Sequence, residues 1–287
     1  MNFSKWTGLG NDFVLLEPGE SLDFGSGFEQ RIKMLCDRRF GIGADGVVLV
    51  TPMDGEGCLI MDGVGPGAGP ASRAVANGVD FEMRIFNADG SEAAMCGNAT
   101  RCVAKFICSR GLAKPGQKVF NLHTQSGLVR PELLDDGRVC VDMGHPRDFL
   151  GSIKLSAGCY DFTAETVSMG NPHAVIFVDD IEQIQLEDWG RVLEVDKQFP
   201  DRCNIEFAQV VTPTQIRMRG WDRGCGVTMA CGTGSCATLV AAQRTGRVGV
   251  EADVVLDGGT LHIKHEEDGP VLMTGPAQEV FRGNIET

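Results

Sequence analysis

Met83-Arg84-Ile85-Phe86-Asn87 and Met218-Arg219-Gly220-Trp221-Asp222 are two renderings of one pattern, set 135 residues apart in a chain of 287. Carried forward without a gap, the same spacing lays Cys96-Gly97-Asn98 on Cys231-Gly232-Thr233 and Gly111 on Gly246. Agreement of several landmarks at one spacing marks an internal duplication. A shorter echo, at a different spacing, relates Gly10-Asn11-Asp12-Phe13-Val14-Leu15-Leu16 to Gly170-Asn171-Pro172-His173-Ala174-Val175-Ile176. Both read as a polar turn leading into an apolar strand. The chain is two homologous halves that diverged, each contributing one copy of a site.

Each half gives the same coarse structure. Short β-rich runs, such as Gly46-Val47-Val48-Leu49-Val50 and Ala174-Val175-Ile176-Phe177-Val178, are bounded by Gly, Pro, Asn and Asp. One helical stretch then follows each Cys-Gly pair, over 99–110 and 234–245. Val103, Phe106, Ile107 and Arg110 give the first helix a buried side, while the second is apolar nearly all round, as a helix enclosed by sheet requires. Gly111 and Gly246 stand where a C-cap glycine is favoured. The expectation is an α+β chain of two pseudo-symmetric β-rich domains, each wrapped around one central helix. The glycine-rich stretch 54–80 lacks periodicity and reads as a surface excursion.

Composition narrows the function. Hydrophobic content of 43% and charged content of 23% are those of an ordinary globular protein. A net charge of −13 repels phosphate backbones and anionic lipid, so nucleic acid and membranes are poor partners. No apolar run approaches the roughly 18 residues of a membrane span. The first residues, Met1 to Gly8, lack the layout of a signal peptide, so a cytoplasmic location is expected. The eleven cysteines include no CxxC pair, which argues against structural zinc. Cys36, Cys58, Cys108, Cys140 and Cys159 read as buried small apolar residues.

Cys96 and Cys231 need another account. At a helix N-terminus, unpaired N–H groups and the positive end of the dipole favour a thiolate and lower its pKa. The same N–H groups can hold a carboxylate. Gly97 and Gly232 let backbone approach a ligand, and Asn98 and Thr233 add short polar side chains. One thiolate and one thiol flanking a single carbon would remove a proton from one face and deliver one to the other. An ordinary thiol pKa of about 8.5 suits that work. Either cysteine taken alone reads as a core residue; the matched pair, with its glycines and polar neighbours, reverses that reading.

Met95-Cys96-Gly97-Asn98, Ala230-Cys231-Gly232-Thr233-Gly234, Gly8-Leu9-Gly10-Asn11-Asp12-Phe13, Gly170-Asn171-Pro172-His173, Phe40-Gly41-Ile42-Gly43-Ala44-Asp45-Gly46 and Arg84-Ile85-Phe86-Asn87-Ala88-Asp89-Gly90-Ser91-Glu92 closely resemble diaminopimelate epimerase, in that family's order along nearly the whole chain. The resemblance implies two domains, 1–125 with a returning strand 276–287 and then 126–275. Each would be a barrel-like sheet around its helix, with the active site in the interdomain cleft. It further implies interconversion of LL- and meso-diaminopimelate, for lysine and peptidoglycan precursors, without cofactor or metal, by a homodimer. By motif position Cys96 and Cys231 are the acid–base thiols, and Asn11, Asn87, Asn171 and Asn204 bind substrate. Gly97-Asn98 and Gly232-Thr233 cradle the α-carboxylate. Asp222-Arg223 binds the far end or the amino groups of the substrate, and His173, with Asp222, tunes thiol pKa.

The sequence also departs from the resemblance. Asp222 and Val227 stand where the family usually has Glu; Ala94 replaces Glu and Ala99 replaces Gly. These changes motivate a rival, a histidine or other cofactor-independent racemase on the same scaffold. A non-catalytic amino-acid-binding protein is a third reading, which needs neither thiol.

Overall fold

In the computed structural model, residues 1–20, 22, 25–53 and 78–286 are described. The glycine-rich excursion therefore lies, up to residue 77, outside the described residues. The chain divides into two units, Met1–Val141 with Pro276–Thr287, and Asp142–Gly275.

The first unit opens with β1 (Asn2–Gly8) and β2 (Asn11–Leu16), an antiparallel pair turned through Leu9 and Gly10, both at positive φ. Strand β3 (Gly46–Pro52) runs parallel to β2, so a crossover must join them, and helix α1 (Phe28–Cys36) lies in it. Strand β4 (Phe81–Asn87) returns antiparallel to β3, and β5 (Glu92–Ala93) folds back on β4. Helix α2 (Gly97–Ser109) leads to β6 (Leu122–Thr124), parallel to β4, and then to antiparallel β7 (Gly127–Val129). A hairpin of β8 (Pro131–Leu133) and β9 (Val139–Asp142) follows, with β8 packed on α2. The last strand, Gln278–Asn284, pairs antiparallel with β1. There Phe281 meets Phe3 edge-on at 6.0 Å.

The second unit repeats this order. Strands β10 (Arg147–Ala157), β11 (Tyr160–Ser168) and β12 (Pro172–Phe177) form an antiparallel meander. Helix α3 (Leu186–Leu193) lies in the crossover to β13 (Asn204–Thr212), parallel to β12. Then come antiparallel β14 (Gln215–Asp222), the short return β15 (Gly226–Val227) and helix α4 (Gly232–Arg244). Strand β16 (Glu251–Leu256) is parallel to β14, and antiparallel β17 (Gly259–His265) and β18 (Val271–Gly275) complete the unit. Every pairing from β1 to β7 has its counterpart from β11 to β17, and the C-terminal strand plays for β1 the part of β10 for β11.

Three expectations change. The sheets follow open strand paths and do not close into barrels. A helix about 10 Å across fills each interior, so the strands need only jacket it. The division falls after Val141, where the sequence placed it after residue 125, because β6 to β8 stay with β4 and α2. Each unit also holds a second helix, α1 or α3, that the sequence reading omitted.

Helices α2 and α4 end alike. Gly111 (φ 66°) and Gly246 (φ 69°) are left-handed. Behind them Leu112 N–H donates to Ile107 and Gly111 N–H to Cys108, just as Arg247 donates to Ala242 and Gly246 to Gln243. This is the paired Schellman closure that glycine permits. Both helices begin two residues before the expected start, with Cys96 and Cys231 as extended N-caps. Thr100 and Ser235 return their hydroxyls to the Cys96 and Cys231 carbonyls at 2.9 and 2.8 Å. In α2 the fully buried Arg101 donates from Nε to Pro276 O at 3.1 Å, which ties the returning C-terminal segment to the helix. Among the described residues no helix is long and apolar enough to cross a membrane.

Candidate active site

Around Cys96, the start of β2 and the N-terminus of α2 come together. Asn11 Oδ1 lies 3.8 Å from Cys96 Sγ and accepts from Asn98 Nδ2 at 3.2 Å. Its orientation is set from behind, where Asn11 Nδ2 donates to Asp45 Oδ2 at 2.7 Å. Asp45 also accepts from the Asp12 N–H at 3.0 Å and from Arg38 at 2.8 Å. Asp12 in turn pairs with Lys5 and Arg38, each at 2.8 Å. Burial works to raise the Asp12 pKa, but those two cations outweigh it and hold the carboxyl down to about 2. Asn98 and Gly97 are buried in the first turn of α2. Asn87 caps the end of β4, and Ser91 Oγ accepts from its amide at 3.0 Å.

Around Cys231 the network is denser. Gly234 N–H donates to Sγ at 3.4 Å, and Thr233 Oγ1 lies 3.6 Å from Sγ. Asn171 Nδ2 donates to Thr233 Oγ1 at 3.3 Å, and Asn171 Oδ1 is 3.0 Å from His173 Nε2. His173 Nδ1 is 2.6 Å from Glu206 Oε1, with both side chains fully buried. Asp222 Oδ2 accepts from Thr228 at 2.7 Å. Asn204 donates to Pro172 O at 2.8 Å and accepts the Arg223 N–H at 2.9 Å, so it braces the turn that carries Asp222 and Arg223. The Arg223 guanidinium donates to Asp201 O at 3.1 Å.

The thiol chemistry differs from the expectation of a lowered pKa. Burial, followed by the Asp222 and Glu206 carboxyls, pushes the Cys231 thiol well above its ordinary range, against the opposing pull of Thr233. Desolvation also raises Glu206, which His173 draws back and Asp222 raises further. One helix N-terminus does not offset a dry setting with two acids. That setting favours the protonated thiol at Cys231.

Glu206, Asp45 and Thr228 escaped the sequence reading. Only Glu206 left a signal, a lone acid among the apolar residues Ile205, Phe207 and Ala208. Sγ of Cys231 and carboxylate oxygens of Glu206 and Asp222 lie within 4.8 Å of one another, a donor set of the kind metals use, although Glu206 is already committed to His173. Cys231 is a free thiol. Of the cysteines expected to be buried, Cys36 is, Cys108 and Cys140 are half-buried, and Cys159 is exposed in the β10–β11 turn. Cys58 lies outside the described residues.

Two equivalent helices that each begin on a cysteine, with fixed amides and a buried acid around them, define an isomerase of the epimerase class. The family model described as diaminopimelate epimerase matches residues 3–148 and 165–280. A relative from Synechocystis sp. named diaminopimelate epimerase is 41% identical, over 100% of this chain and 99% of its own. One of the same name from Pelotomaculum thermopropionicum is 42% identical, over 99% and 98%. The chain belongs to the diaminopimelate epimerase family. Its fold is that of a hydroxyproline epimerase from Agrobacterium vitis (TM-score 0.68, 16% identity, 99% of this chain and 91% of that one). A phenazine biosynthesis protein from Bacillus anthracis shares it too (TM-score 0.70, 16% identity, 100% and 99%).

Proposed function

We propose that the protein interconverts LL- and meso-2,6-diaminopimelate by two-base proton transfer at one α-carbon, supplying lysine and peptidoglycan precursors in the cytoplasm as a homodimer. The observation that carries this reading is the pair of N-cap cysteines on equivalent helices of a duplicated chain. In one direction the thiolate of Cys96 takes the α-proton, the C–H electron pair stays on carbon, and Cys231 delivers its S–H proton to the opposite face. Cys96 then ends as thiol and Cys231 as thiolate. The reverse reaction starts from that second state.

The first-turn N–H groups at Gly97-Asn98 and Gly232-Thr233 hold the α-carboxylate and stabilise charge as it spreads onto that group. Asn11, Asn87, Asn171 and Asn204 orient the substrate. Asp222 and Arg223 take its ammonium and distal groups, and His173 with Asp222 tunes Cys231.

The rival racemase reading rests on four positions. Asp222 is one methylene shorter than the usual Glu, while Val227 and Ala94 are exposed where acids usually stand. Ala99 is fully buried within α2, where it acts on packing. Incubation in deuterated water with LL-diaminopimelate, histidine and proline separates the readings. Rapid α-deuteration of diaminopimelate alone is expected; rapid exchange into histidine or proline with none into diaminopimelate refutes the assignment.

A further inference from the structure

We propose that Glu206 is a positioning residue: it locks the tautomer of His173 and, through it, the orientation of the Asn171 amide and the Thr233 hydroxyl beside Cys231. On the parallel pair β12–β13, His173 stands opposite Asn204 and Val175 opposite Glu206. The imidazole and the carboxyl are thus neighbours on one face, two residues apart along their strands. Both are fully buried, 2.6 Å apart, and among the described residues Glu206 Oε2 has no hydrogen-bond partner, so the carboxyl's hydrogen bonding there is to the ring.

A dry pair of this kind must avoid net charge. It does so in two ways. Either the carboxylic acid donates to Nδ1 of a neutral ring, or a carboxylate accepts from an imidazolium. Both leave a hydrogen on Nε2. The remaining arrangement, a carboxylate beside a neutral ring protonated on Nδ1, carries a buried negative charge and turns a bare Nε2 toward Asn171 Oδ1 at 3.0 Å, acceptor against acceptor. With hydrogen fixed on Nε2, Asn171 must accept with its carbonyl and donate with its amide to Thr233. Thr233, already an acceptor, keeps its own hydrogen for Cys231 Sγ. A one-way donor chain then ends on the sulfur, ready to stabilise the thiolate formed during turnover. A carboxyl that orients a histidine for its neighbour is an established catalytic arrangement.

The test uses the full chain with ¹⁵N-labelled histidine. In the native protein, His173 should carry hydrogen on Nε2 at every pH between about 5.5 and 8, the range in which a free imidazole would titrate. Glu206→Gln makes both neutral tautomers acceptable, because an amide can donate to Nδ1 or accept from it. That variant should show mixed tautomers. Its KM should stay within about threefold while kcat falls on the order of a hundredfold, the split left by an interaction needed in the transition state. A native spectrum with a bare Nε2 overturns the proposal, as does Glu206→Gln with native tautomer and native kcat. If the variant does not fold, the native spectrum alone decides. The kinetic arm rests on the epimerase reading and the spectral arm does not, so an inactive native enzyme with Nε2–H would sink that reading and leave the lock standing.

Discussion

Gly234 is held to glycine by two neighbours at once. A Cβ there would lie 2.7 Å from Glu206 Oε1 and 3.2 Å from Cys231 Sγ. Neither can yield freely, since Glu206 is clamped to His173 and Sγ is held by the Gly234 N–H and beside Thr233. Gly234→Ala should therefore lose about 1–3 kcal/mol of stability, the range for overpacking a dense site, together with most of its turnover. Urea denaturation and an epimerisation assay check this, and a variant of native stability and rate would show that the carboxyl is not wedged there. The residues of the site were legible where chemistry is written into local order, as in Cys96-Gly97-Asn98 and Asn171-Pro172-His173. Asp45 and Glu206 were less legible because their work depends on strand register. Asn11 meets Asp45 only because β2 and β3 run parallel, and His173 meets Glu206 only because β12 and β13 do.

At the scale of elements, α2 is joined to its surroundings at the C-cap. The Arg110 side chain, 6% exposed, pairs with Glu17 at 2.6 Å and Glu279 at 2.9 Å and lies over the Phe106 ring at 5.0 Å. It thus connects the residue after β2, the helix and the C-terminal strand. Removing this buried cation leaves Glu17 unpaired while Glu279 keeps Arg282, and both acids keep some water contact. Arg110→Ala should cost about 2–3 kcal/mol, below the figure for a fully dry pair. A melting temperature unchanged from the parent would contradict it. Helices α2 and α4 were readable from their cysteine starts and glycine stops. Helix α1 is only nine residues long and follows Gly27 at φ 94° with no side-chain cap. Helix α3 has eight residues and a central Gly190, where a Cβ would come within 2.7 Å of Trp221. Neither announces itself by propensity; the parallel strands on either side require them.

Across the whole molecule, the duplication explains what local signals leave open. The spacing between equivalent residues changes between β3 and β4. There the first unit inserts the glycine-rich stretch, whereas β13 and β14 are joined by the tight turn that pairs Thr212 with Gln215. The two echoes in sequence are therefore parts of one repeat, set apart by this stretch and by a small length difference between the crossovers that hold α1 and α3. The open sheets were not legible, because strand patterning specifies which face is buried and not whether an edge closes. Duplication followed by divergence also accounts for two unlike thiol settings. Asn11 turns a carbonyl toward Cys96, while the chain through Asn171 and Thr233 turns a donor toward Cys231. In the proposed reaction each thiol passes through both protonation states, and these partners suit the state in which Cys231 has given up its proton and Cys96 holds one. The most direct measurement is inversion and α-deuteration of LL-diaminopimelate by Cys96→Ala and Cys231→Ala in deuterated water. Each variant is expected to lose inversion by at least about a thousandfold, while one of them still exchanges the α-hydrogen of a single stereoisomer without inverting it. Inversion at the parental rate by either variant would contradict it.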